Sequence, residues 1–285
     1  MTIQEFFNKL NKLREQRRIE KCVRRGEPIP FDYKGKTYFL NPDQAAVYHI
    51  QNSTEKLMKM IRLASSEARI CFDVGANCGL FSALLARESP EIQSHAFEPS
   101  EELHTLIKKN CRDMKLTLVD RAVGDSEGVL PFFVNPDSQQ TNSCNYDAVA
   151  MCSDEKKILK REVPVTTLDK YASDLGIEKV DILKIDVQGF EGQVISGMEK
   201  ILKESQNLRM LMEFWPKGLE DAGSDSEQLL IKLESLGLRV YELKSKGNFV
   251  RILNKREFIE RFPERAYTNL VVLGSGVELD PSSRS

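Results

Sequence analysis

Acidic residues close four apolar runs of this 285-residue chain: Asp73 in ICFDVGANCG, Glu98 in SHAFEPS, Asp186 in LKIDVQGF and Glu213 in MLMEFW. A carboxylate at the end of a buried strand is costly without a partner, which makes these positions candidates for chemistry. Directly after the first of them the chain passes through Gly75, Ala76, Asn77 and Gly79 before a helical stretch begins. Glycines at a strand-to-helix turn permit positive φ and let a ligand approach closely. In a doubly wound sheet, ligands bind beyond the carboxyl ends of the strands, near the point where strand order reverses. Pro99, Ala122, Asp125, Gln188 and Trp215 fall in the same zone, each just past a predicted strand.

A dinucleotide site would need glycines at the first, third and sixth positions of the turn, which here hold Gly75, Asn77 and Leu80. The second glycine is missing, and Asp73 beside the turn would repel a pyrophosphate. The pattern D-x-G-x-x-x-G suits instead a ligand that carries an ammonium and a sulfonium. S-adenosylmethionine (SAM) is such a ligand, and Glu98 can accept hydrogen bonds from both ribose hydroxyls. A nicotinamide-dependent oxidoreductase on the same kind of sheet is the alternative reading, and a catalytically silent SAM-binding relative is a third.

Taken in order, VGANCGLFS, AFEPS, AVGDSEG, TLDKY, LKIDVQGFEGQVISGM and MEFWP resemble the successive motifs of FkbM-type SAM-dependent methyltransferases over roughly residues 70 to 275. The resemblance implies a class I methyltransferase fold: an α/β, doubly wound, seven-stranded and mostly parallel sheet whose last strand is antiparallel. It also implies methyl transfer to a hydroxyl of a sugar, glycan precursor or related small molecule, with S-adenosylhomocysteine (SAH) as the cofactor product. Carried onto this chain, Asp73, Gly75, Ala76, Asn77 and Gly79 would hold the methionine portion of SAM. Glu98 with Pro99 would hold the ribose, the turn with Ala122 and Asp125 the adenine, and Asp186 would face the transferring methyl. One departure is Gln188, where a glutamate is frequent in the family, so no carboxylate is available there.

An unactivated hydroxyl needs a base within hydrogen-bonding reach. Asp186, Glu191, Glu213 and His49 are the candidates, and Asp186 is favoured because it ends the strand nearest the expected switch point. The competing reading for Asp186 is a cap on the following helix at Phe190, and for Glu191 a first-turn acid explained by the helix dipole. His49, His95 and His104 read more readily as structural. Asp186 and Glu213 could instead share a divalent cation. That alternative is less favoured, since Phe214, Trp215 and Pro216 supply no further oxygen ligand. Trp215, the single tryptophan, would stack on an apolar substrate face or else be a core aromatic. Together with Gln188, Asn142 and Ser143 it forms the expected substrate-binding set.

The elements that must position these residues follow from periodicity. From Ile70 onward, short apolar runs alternate with helical stretches, the signature of βαβ units and a parallel sheet. The run LTLVDRAVG reads as one strand and GVLPFFVN as an extra one. Residues 136–160 form a polar, lid-like loop, since a stretch of this length is uncommon in a compact domain unless it binds or covers something. The methyltransferase domain is expected over 69–279, with a frayed tail at 280–285. Before it, 1–68 reads as an amphipathic helix over 2–24, a hairpin turning at Lys34, Gly35 and Lys36, and a helical lead-in.

Composition narrows the classes further. With 41 basic and 43 acidic side chains there is no net field to attract nucleic acid or an anionic membrane. No apolar run approaches the length of a membrane span, and the N-terminus lacks a signal-peptide core. The expectation is a cytoplasmic protein with a small-molecule substrate, its N-terminal helix being the surface for any homo-oligomer or peripheral membrane contact. The six cysteines show no metal-binding spacing and read as reduced thiols.

Overall fold

A computed structural model describes residues 17–42, 61, 67–136, 138, 141–151, 154–244 and 248–278. Residues 17–25 are helical and lead into a hairpin of β1 (Ile29–Tyr33) and β2 (Lys36–Leu40). Lys34 and Gly35 form its two-residue turn with φ of 45° and 76°, the paired positive values that match the twist of a hairpin. The remainder of the expected 2–24 helix, the lead-in helix apart from Ile61, and His49 lie outside the described residues.

The main body begins with β3 (Ile70–Val74), α1 (Leu80–Glu88), β4 (Gln93–Phe97), α2 (Glu101–Asn110) and β5 (Leu116–Val119). Next come β6 (Ala122–Val123), β7 (Gly128–Val134), α3 (Tyr146–Ala150), β8 (Leu159–Thr166) and α4 (Leu168–Asp174). The chain then forms β9 (Ile182–Ile185), α5 (Glu191–Ser196), α6 (Glu199–Glu204), β10 (Arg209–Phe214), α7 (Pro216–Asp221) and α8 (Ser226–Ser235). It closes with β11 (Arg239–Leu243), β12 (Phe249–Arg251), α9 (Lys255–Glu260) and β13 (Thr268–Leu273).

The large sheet has the order β12-β11-β13-β10-β9-β3-β4-β5. Strands β5, β4, β3, β9 and β10 are mutually parallel, and β13 inserts antiparallel between β10 and β11. This is the doubly wound class I methyltransferase topology, with strand order reversing between β3 and β9. It has eight strands where seven are expected, because Phe249–Arg251 adds a short antiparallel edge to β11. The run LTLVDRAVG is not one strand either. It breaks after Val119, and Ala122–Val123 pairs with β8 in a separate three-stranded sheet of order β6-β8-β7. The polar pair Asp120-Arg121 makes that break, and Arg121 is exposed.

Strands buried on both faces read as continuous apolar runs, and the core follows from them. Phe72, Leu183, Ile185, Met210, Met212, Leu270 and Val272 pack in the principal cluster, with Cys71, Leu84 and Ile92 in a neighbouring one. His95 sits within this aromatic interior, edge-on to Phe72 and Tyr171, so its structural reading holds. Cys22, Cys71, Cys78, Cys111 and Cys144 are free thiols. Among the described residues no helix is long and apolar enough to cross a membrane.

Tyr33 and Lys34 tie the hairpin to Glu88 at its exposed end, and a buried side chain ties its other strand. Asn110, at the end of α2, donates through Nδ2 to the carbonyls of Phe39 and Cys78, each at 2.7 Å, and accepts the Phe39 N–H at 2.7 Å. It therefore joins β2 to the turn that follows β3. Replacing Asn110 with Ala leaves those backbone groups unpaired, at about 1 kcal/mol or more per lost bond. The expected result is a urea midpoint lowered by the equivalent of about 2 kcal/mol or more, read by equilibrium unfolding. An unchanged midpoint would show that the hairpin docks independently.

Candidate active site

The turn after β3 is bent by positive φ at Gly75 (73°), Asn77 (52°) and Gly79 (73°), the last being the residue that precedes α1. Its start is fixed by the N–H groups of Gly75 and Ala76, which both donate to the Phe97 carbonyl at 3.0 Å. The glycine at 75 answers to the protein's own backbone: a Cβ there would lie 2.0 Å from the Asp186 carbonyl oxygen. At Gly79 a Cβ would meet the Ile107 side chain at 3.2 Å. The missing side chains at these glycines thus make room for the protein's own backbone at Asp186 and for α2.

Glu98 closes the other side of the turn. Its Oε2 accepts the Asn77 N–H at 2.7 Å and its Oε1 the Ser100 N–H at 3.0 Å. Each oxygen keeps a further lone pair. Burial pushes the carboxyl up to about 7, against the pull of the Ser100 and Asn77 amides. His104 contacts the Glu98 carbonyl at 2.7 Å, which gives it a structural role, and Pro99 is half-buried beside it.

At the switch point a lysine that the motif reading passed over carries the electrostatics. Asp73 pairs with Lys184 in the β3–β9 register. The Lys184 ammonium lies 2.5 Å from the Gly75 carbonyl, 3.6 Å from Asp73 Oδ1 and 3.7 Å from Asp186 Oδ2. Burial opposes its charge, but Asp186, Asp73, Glu98 and Glu213 outweigh that and hold it above the usual lysine value. Asp73 is fully buried, with Oδ2 accepting from Ser82 at 2.7 Å. It braces the turn from beneath. Two signals pointed to Lys184: a charge inside the apolar run DILKIDV, and its i, i+2 spacing to Asp186.

Asp186 keeps 43% of its side chain exposed at the end of β9. Gln188 Nε2 donates to Asp186 Oδ1 at 2.9 Å and to Glu213 Oε2 at 3.0 Å, so one amide bridges the two acids across β9 and β10. Among the described residues no group of three or more His, Cys, Asp or Glu is arranged to hold a metal ion. Gln188 itself adopts φ of 56°, an uncommon conformation for a residue with a side chain.

No side chain caps α5 at Phe190, so neither Asp186 nor Glu191 serves as its cap; Glu191 instead ties down the turn that precedes the helix. Glu191 Oε1 accepts from the N–H groups of Val187 and Gly189 at 3.0 and 3.3 Å, and the side chain is fully buried. Burial raises Glu191 to about 7. Burial, then the charges of Asp186 and Glu191, raises Glu213 well above the carboxylate range. Glu98 and Glu191 bind protons more tightly folded than unfolded. They therefore favour the fold at acid pH, a contribution lost as pH rises from the ordinary carboxylate range through about 7.

The segment between β7 and β8 straps across these strand ends. Asn142 contacts Ser100 Oγ at 3.4 Å, Ser143 Oγ reaches the Val187 and Gln188 carbonyls at 2.9 and 3.2 Å, and Asn145 Nδ2 donates to the Gly218 carbonyl at 3.0 Å. Within the expected 136–160 loop stand α3 and a 3-10 turn, Glu155–Lys157. Ser143 is buried and engaged with backbone, which corrects its place in the substrate set. Trp215 stands as the second of its two readings, a core aromatic: it is 7% exposed, its Nε1 donates to the Glu264 carbonyl at 2.5 Å, and its ring fills the space over Gly218. Ala122 is buried in the small sheet, whereas Asp125 is exposed.

Comparison with known proteins identifies the family. The Methyltransferase FkbM domain family matches residues 73–240. The 31-O-demethyl-FK506 methyltransferase FkbM of Streptomyces tacrolimicus is 28% identical over 154 residues, covering 46% of this chain and 59% of its own. The 2-O-methyltransferase NoeI of Sinorhizobium fredii is 23% identical over 159 residues, covering 52% and 65% respectively. The chain thus spans about three fifths of the length of these relatives. Among solved structures, an O-methyltransferase from Bacillus cereus in complex with SAH aligns at TM-score 0.41 and 12% identity, covering 77% of this chain and 80% of that one. With the family match covering more than half of its length, the chain belongs to the FkbM methyltransferase family.

Proposed function

We propose that this chain is a SAM-dependent O-methyltransferase that acts on a hydroxyl of a small molecule, glycan precursors included. The observation that carries the reading is the backbone contact of Gly75 with Asp186. It sets the turn suited to hold the cofactor against a residue whose exposed carboxylate can accept a proton. The names of two relatives, which specify a 31-O and a 2-O position, support oxygen as the methylated atom.

SAM supplies a methyl group that is already electrophilic, so the protein's part is alignment and proton removal. Gly75, Ala76, Asn77 and Gly79 would line the methionine portion, Glu98 and Pro99 the ribose, and Ala122 with Asp125 the adenine end. The fit rests on Glu98, a buried carboxylate that keeps an accepting lone pair on each oxygen. Asp186 takes the proton of the incoming hydroxyl. Gln188 and Glu213 hold Asp186 in place through the amide bridge, and Asn142 borders the acceptor.

Calorimetric titration with SAM, SAH and NAD⁺ tests the cofactor assignment: SAM and SAH bind and NAD⁺ does not, and binding of NAD⁺ alone would overturn it. The acceptor class is tested with methyl-labelled SAM and a panel containing a methyl glycoside and a macrocyclic alcohol. Glu98→Gln is expected to raise the SAM dissociation constant roughly ten- to a hundredfold, the value of one charge-assisted bond. Because Glu98 titrates near 7, wild-type affinity should fall as pH drops from about 8 to about 6, while the Gln variant shows no such dependence. Asp186→Asn should lower turnover roughly 10²- to 10⁴-fold, as for a lost general base, with SAM affinity nearly unchanged. The reverse pattern would make Asp186 a cofactor-orienting group.

A further inference from the structure

We propose that Lys184 is a positioning residue that locks the cofactor turn onto the end of β9, so that cofactor affinity depends on a side chain lying beneath the site. The inference rests on the assignment of the 75–79 turn to SAM.

The Lys184 ammonium extends past the last residue of β3. It donates to the Gly75 carbonyl at 2.5 Å and reaches the Val74 carbonyl at 3.4 Å, which also accepts the Asp186 N–H at 3.1 Å. One cation thus gathers the two carbonyls that open the turn and stands between the carboxylates of Asp73 and Asp186. The turn needs such a hold. Gly75 and Gly79 take the left-handed conformation without a steric cost, but Asn77 between them carries a side chain and persists there only where the surroundings hold it. The N–H groups of Gly75 and Ala76 are tied to Phe97, that of Asn77 to Glu98, and that of Gly79 to the Ala76 carbonyl. Lys184 supplies the matching donor on the carbonyl side. Stability alone does not account for it, because a buried ion pair can often be exchanged for apolar residues at little cost. A hydrophobic pair at 73 and 184 would fill the sheet, yet it would leave the Gly75 carbonyl without this donor.

The test separates positioning from folding. Lys184→Met alone would strand the Asp73 charge in the core, so the informative variant is the double Asp73→Asn, Lys184→Met, in which the amide introduced at position 73 can still meet Ser82. Thermal unfolding and calorimetric binding of SAM and SAH are measured on wild type, on Asp73→Asn and on the double variant. The expected result is a double variant that melts cooperatively near the temperature of Asp73→Asn but binds both ligands at least about tenfold more weakly, the loss of one charge-assisted hydrogen bond. Affinity within about threefold of Asp73→Asn would overturn the role of Lys184 while leaving the cofactor assignment intact. Failure of wild type to bind SAM or SAH would overturn the assignment itself. If the double variant gives no cooperative melt, Lys184→Gln in the Asp73→Asn background replaces it under the same criterion.

Discussion

The structure depends on one row of charge at its centre, Asp73, Lys184 and Asp186, set across the junction of β3 and β9. These strands are neighbours in the sheet but far apart in the chain, and the parallel register places Asp73 opposite Lys184. At this junction the strand order reverses, which opens a crevice beyond the carboxyl ends. Burial opposes the Lys184 charge and the surrounding carboxylates outweigh it, while the same ammonium reaches the backbone carbonyls that open the turn. Position of the turn, position of the exposed acid and neutralisation of the core follow from the same three side chains.

Around this row the protein ties down a backbone that would not hold itself. The turn is clasped by Phe97 and Glu98 on one side, by Lys184 beneath, and by Asn110 and Asn41 from the N-terminal region and α2. The hairpin of β1 and β2, which lies outside the sheet, is in this sense part of the site. The segment between β7 and β8 does the same for the second half, where Ser143 and Asn145 fix the backbone around Gln188, Gly189 and Gly218. Gln188 is held in a left-handed conformation with its amide aimed at two acids.

The acids of the site differ because their surroundings differ. Asp186 is open to solvent; Glu213 is held up by burial and by the charges of Asp186 and Glu191; Glu191 is sealed against two backbone amides. The neutral amide at 188 gives Asp186 and Glu213 one shared hydrogen-bonding partner.

Much of the fold was legible in the order of residues. Apolar runs such as ICFDV and DILKI announced strands, and their alternation with helices announced a parallel sheet. The turn chemistry of Lys34 and Gly35 was local and equally plain. What the sequence by itself determined was the type of the main strands and helices of the large sheet, because periodicity and turn preference act over a few positions; the short edge strand β12, the break after Val119 and α3 escaped it. Which strand end faces which was decided only by tertiary structure, since the register between β3 and β9 brings Asp73 to Lys184 across the intervening elements. For that reason Lys184 carried no evident role until Asp73 and Gly75 came beside it. The packing of Trp215 over Gly218 and of Ser143 on the Val187 carbonyl was likewise decided only by tertiary structure. So was the approach of Gly75 to the Asp186 carbonyl, because close approach of two backbones is a fact of packing that no single segment carries.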